Sequence, residues 1–153
     1  MKTLDDLLRN ARKIQHGLLD EIERVIYANS QEIEALNIDA FQSGIGSDGN
    51  ELKNNNTRFN GFYSLSTQLI NPEKQAGSLY TFFETGDFLR NFQLDVSSDL
   101  TKIDFFSTGT GSGDKAEFFR DYKNLFGLDQ INADIMRYKI ILPKLQDYVH
   151  KNL

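Results

Sequence analysis

Nine apolar residues between Leu4 and Ile26 recur at spacings of three and four: Leu4, Leu7, Leu8, Ala11, Ile14, Leu18, Ile22, Val25 and Ile26. That period puts them on one stripe of an α-helix. Thr3 stands where it can cap the first turn, and Asp5 and Asp6 stand where the helix dipole favours anions. Asn29-Ser30 supplies a stop, so the spacing predicts a helix over residues 1–29 with a charged opposite face. The rest of the chain must then do one of two things. It either covers the whole stripe with its own core or leaves part of it for a neighbour.

After this helix the pattern changes. Glu32-Ile33-Glu34-Ala35-Leu36-Asn37-Ile38 alternates apolar and polar residues. This predicts a short strand followed by a helical turn into Asp39-Ala40-Phe41. Residues 44–78 are loop-rich: Ser47-Asp48-Gly49-Asn50 is a turn signal because Asp-Gly readily supplies a positive φ. A loop of this length in a compact domain is usually functional or disordered. Residues 79–153 read as a hairpin plus closing helices. Phe92, Leu94 and Val96 alternate with polar partners, as do Ile103 and Phe105, with a connection of about five residues between the strands. Lys115 to Phe126 is predicted helical with Gly127 at its stop. A last helix starts at about Asp129, and Pro143 should kink or split it. Strands cluster rather than alternate with helices, which gives an α+β class in one domain over residues 1–153. The parts are a long N-terminal helix, a small antiparallel β-sheet with a hairpin, C-terminal helices and a long irregular middle loop.

Tests for chemistry come out negative. With no Cys, disulfides, thiolate metal sites and Cys nucleophiles are excluded. A net charge of −5 argues against binding a phosphate backbone, and Arg9, Arg12 and Lys13 are too small a patch to reverse it. The opening residues carry charges throughout, unlike a signal peptide, and no apolar run reaches the length that spans a bilayer. In the run Gly109 to Ala116, Asp114 interrupts both the Walker pattern and the dinucleotide pattern, and Ala116 has no hydroxyl for Mg²⁺. The loop at Asp48 has a single acid before Gly49 and no bidentate Glu at calcium spacing. His16 and His150 stand at opposite ends of the sequence, away from any nucleophile-elbow pattern. Glu84 and Asp87, amid Phe82, Phe83 and Phe88, form the least implausible carboxylate pair. Capping of a helix start by Thr85 or Asp87 is the simpler reading. The expectation is therefore no enzyme, with no catalytic, cofactor-binding or metal residue to name.

Four elements, in order, carry a family resemblance. They are the loop Gly44-Ile45-Gly46-Ser47-Asp48-Gly49, the element Tyr63-Ser64 with Thr67, the turn Thr85-Gly86-Asp87-Phe88 ahead of the hairpin, and Phe126-Gly127-Leu128 before the last helix. Over residues 32–153 the chain resembles the tail-completion and virion-morphogenesis (neck or minor tail) proteins of tailed bacteriophages. The middle loop departs from the family, which often carries several lysines there, whereas Lys74 stands alone in residues 68–74. The resemblance implies a structural virion protein, assembled in the host cytoplasm. Such a protein forms a homo-oligomeric ring at the head–tail neck or at the end of the tail tube and contacts neighbouring neck or tail proteins. It implies neither specific nucleic-acid binding nor a membrane. Rings arise when one face binds a different face of the next copy and the rotation closes. The alternative is a non-catalytic bacterial adaptor or regulatory module that binds one partner protein.

Overall fold

The first helix, α1 (Leu4–Ala28), is about 37 Å long at 1.5 Å per residue. A capping box starts it: the Asp6 N–H donates to Thr3 Oγ1 at 3.2 Å, and the Thr3 N–H donates to Asp6 Oδ2 at 3.1 Å. At its other end Asn29 Nδ2 donates to the Val25 carbonyl at 2.6 Å, and the chain turns at once into α2 (Ser30–Gln42). The computed structural model describes residues 3–52, 62–80, 82, 86–109 and 122–153.

Helix α2 replaces the predicted short strand. Ile33, Asn37, Ala40 and Phe41 are its buried positions, at helical spacing, while Ala35 is exposed. The alternation was misleading because the core face of this helix carries a polar residue, Asn37, which hides the apolar stripe. Asn37 is buried by being fully used: its Nδ2 donates to the Leu125 carbonyl at 3.1 Å, and its Oδ1 accepts from the Gly127 N–H at 3.0 Å.

That clamp explains a second departure. Of the helix predicted over Lys115 to Phe126, residues 115–121 lie outside the described residues, Tyr122 is a bridge residue, and Lys123 to Phe126 run as turns and bends. Tyr122 and Leu125 are buried in the core cluster, and the segment is held to α2 through backbone groups that a helix would have used itself. Gly127, with φ of +123°, still ends the segment.

A short helix α3 (Leu65–Ile70) lies within the irregular middle of the chain, and α4 (Asp87–Arg90) precedes the hairpin. The hairpin forms as predicted. Strand β1 (Phe92–Val96) pairs antiparallel with β2 (Ile103–Ser107), with Leu94 opposite Phe105 and Val96 opposite Ile103. Phe92, Leu94 and Val96 face the core from β1. The connection is organised by Asp99, whose Oδ1 accepts from Ser97 Oγ at 2.6 Å, Thr101 Oγ1 at 2.8 Å and the Thr101 N–H at 3.2 Å. These bonds hold its carboxyl well below the usual range, at about 2, the Ser97 bond contributing most.

In β1 the N–H groups of Leu94 and Val96 point away from β2. A bare edge of this kind is a template for pairing with another chain. Here it is closed by side chains: Glu34 Oε1 accepts from the Leu94 N–H at 3.1 Å, and Tyr27 Oη accepts from the Val96 N–H at 3.2 Å. Tyr27 also donates to Asp95 Oδ1 at 2.7 Å, so the α1–α2 corner is fastened to the sheet.

The C-terminal helix starts as α5 (Gln130–Ile135), capped by Asp129 Oδ1, which accepts from the Asn132 N–H at 2.8 Å. It widens into a π-helical stretch (Met136–Ile141) and continues as α6 (Leu142–Asn152). Pro143 therefore does not break it. The Leu142 N–H reaches back five residues to the Arg137 carbonyl, and the wider turn makes room for the proline ring. Helix α6 lies antiparallel beside α1: Asn10 Nδ2 donates to the Leu153 carbonyl at 3.0 Å, and Tyr148 packs at Gly17, where an added Cβ would come within 2.5 Å of its hydroxyl.

The core is aromatic. Phe41 meets Phe82, Phe88 and Phe92 at centroid distances of 5.1, 6.0 and 5.8 Å, and Phe92 stacks on Phe126 at 5.9 Å. Ile26, Ile33, Leu125 and Ile140 close around them.

Candidate functional site

Among the described residues, several polar groups that could suggest chemistry are occupied in holding the fold. Asp48 Oδ1 accepts from Asn124 Nδ2 at 3.0 Å and from the Asn50 N–H at 3.1 Å, and these bonds, that from Asn124 foremost, hold its carboxyl below the usual range. The turn around it depends on Gly49 at φ of +74° and on Gly46, where a Cβ would collide with the Asn124 side-chain amide. Glu21 is bound bidentate by Arg24 at 2.8 and 2.6 Å, which lowers its pKa. Of the carboxylate pair Glu84 and Asp87, Glu84 lies outside the described residues. Asp87 is not the cap of α4. Gly86 holds that position in the left-handed conformation, and Asp87 Oδ1 accepts instead from Asn91 Nδ2 at 3.0 Å. Thr85 and the glycine-rich run beyond Gly109 also lie outside the described residues.

His16 and His150 are exposed on α1 and α6, two helices that the fold lays side by side. Among the described residues, no group of three or more His, Cys, Asp or Glu side chains could hold a metal ion. Among the same residues, no helix is long and apolar enough to cross a membrane.

Apolar surface is uncovered at two locations. The first location is α3. Residues 62–80 form a closed excursion from the core: Phe62 bridges to Leu79, the Tyr63 N–H donates to the Ser78 carbonyl at 2.9 Å, and the Gly77 N–H returns to the Tyr63 carbonyl at 2.9 Å. Tyr63 and Tyr80 meet edge to face at 4.8 Å at its base. Ser64 caps α3 by accepting from the Thr67 N–H at 3.1 Å. The helix so held turns Leu65, Leu69 and Ile70 outward, and Ile70 is 87% exposed. The second location is the start of α1, where Leu4, Leu7 and Leu8 are open on the stripe that Val25 and Ile26 bury further along.

Sequence reasoning located the α1 stripe but not the uncovering of its first half, and it missed Leu65, Leu69 and Ile70 altogether. The one available signal for α3 was three large apolar residues in a segment otherwise polar. No protein-family model, curated protein or solved structure matches the chain.

Proposed function

We propose that this chain is a non-catalytic structural subunit of a tailed-phage virion, one that assembles into a homo-oligomeric ring at the head–tail neck or at the end of the tail tube. The observation that carries the reading is the outward-facing apolar set on α3. Leu65, Leu69 and Ile70 are held on a capped helix at the tip of a tied excursion, in the middle segment where the resemblance to neck and tail proteins places Tyr63-Ser64 and Thr67. Ordered apolar surface of this kind marks a protein-binding face. A ring needs such a face to meet a different face of the next copy. The structural use of Asp48 and Asp87 favours assembly over chemistry.

The test is a phage genome in which this gene carries Leu69→Glu with Ile70→Asp. Both side chains are exposed, so the purified variant is expected to keep the wild-type melting profile. Particles are expected to stop before the head–tail joint is complete or to carry open tails, as counted by electron microscopy. Normal particles that contain the doubly substituted protein would sink the reading. A deletion of residues 45–60 is the poorer test, because it removes Leu52, a core residue.

A further inference from the structure

We infer that the first half of α1 is a self-complementary docking face, which binds the same face of a second copy of this chain in antiparallel orientation. The apolar stripe of α1 runs the length of the helix, but its buried members, Ile14, Val25 and Ile26, all lie beyond the first two turns. Helix α6 is alongside from Asn10 onward, on the flank that carries Ile14 and Gly17. The start of the stripe stays open: Leu4 is 72% exposed, and Leu7, Leu8 and Ala11 are exposed too.

Charge selects the occupant. Asp5 and Arg12 are seven residues apart, two turns of helix, so they lie on the same flank of the stripe. Neither takes an ion pair among the described residues, whereas Asp6 is already bound by Arg9 at 2.7 Å. In a twofold antiparallel pairing, like flanks of the two helices face each other. An axis crossing near Leu8 then sets Asp5 of each copy beside Arg12 of the other and lays the Leu4, Leu7, Leu8 and Ala11 seam on itself. A parallel pairing would face the Asp5–Arg12 flank with the opposite flank of the partner and bring neither pair together. The face is thus complementary to itself in one orientation only. This contact is isologous, does not involve α3, and is independent of the ring reading.

Sedimentation equilibrium of the full chain tests it. Wild type is expected to dimerise reversibly. Asp5→Arg and Arg12→Asp alone should each weaken the dimer at least about tenfold, because each sets like charges together at both ends of the contact. The double variant Asp5→Arg with Arg12→Asp should restore it, and circular dichroism checks that helix content is unchanged. Orientation is read separately in a chain that has no native cysteine. Under mild oxidation with copper phenanthroline, Leu8→Cys should form a disulfide-linked dimer and Leu4→Cys should not. A chain that stays monomeric, a double variant as weak as the singles, or cross-linking through Leu4→Cys would each overturn the inference. A dimer that forms as described while the α3 variant still gives normal particles would count against the ring reading alone.

Discussion

Asn37 holds two backbone groups of a distant segment with one side chain, so its loss is felt twice. In Asn37→Ala the Leu125 carbonyl and the Gly127 N–H are left without their partner in a buried place, at about 1–3 kcal/mol for each group. Denaturant unfolding of this variant should show a midpoint well below that of Ala35→Ser, a control at an exposed position of the same helix. Asp99 acts by charge instead. Its folded-state pKa of about 2 is depressed by the Ser97 and Thr101 bonds, whereas in the unfolded chain it titrates near about 3.9. A depressed carboxylate stabilises the fold above the unfolded value, and that contribution is lost as the pH falls through the folded one. Asp99→Asn keeps the shape and an acceptor oxygen but removes the charge. The gap in denaturation midpoint between wild type and this variant should be full above a pH of about 4 and should close as the pH falls toward 2. A gap independent of pH would refute the charge account.

The hairpin is the element on which local pattern and tertiary packing agree. Leu94 is buried between its β-strand neighbours and opposite Phe105. Leu94→Ala should cost about 2–4 kcal/mol by lost transfer and residual cavity, measurable as a lower denaturation midpoint at unchanged slope. The hairpin and α1 were legible because each repeats one period over several residues. Helix α2 was not legible, since residues 32–38 satisfy two periods at once and the residue that breaks the tie, Asn37, is polar. The residues from Tyr122 to Phe126 were misread as helix for the complementary reason. Their apolar spacing is helical, but the backbone bonds go to Asn37 and, from the Asn124 carbonyl, to the Ser47 N–H at 2.8 Å. Such partners lie too far along the chain for any local window to show them. Exposure escapes the sequence in the same way. Leu69 reads like any leucine that belongs inside, and only the closure of residues 62–80 on themselves turns it out.

Across the whole molecule, the parts that form from near neighbours and those that need distant ones can be told apart. Strands β1 and β2 are joined by a tight connection and can pair early, as can the capped turns of α1. The Glu34 carboxylate that closes the β1 edge is 60 residues from the Leu94 N–H, and the Tyr27 hydroxyl is 69 from that of Val96. Contacts that close long loops come late in folding. In a hairpin that pairs before these distant side chains arrive, the outer edge is bare, and a second refolding chain can add to it. On that order of events Glu34 guards the pathway as well as the folded state. On rapid dilution from denaturant, Glu34→Ala is expected to raise light scattering and lower the recovery of monodisperse protein, increasingly so at higher chain concentration. Recovery equal to wild type at every concentration would mean that the edge is covered before chains can meet.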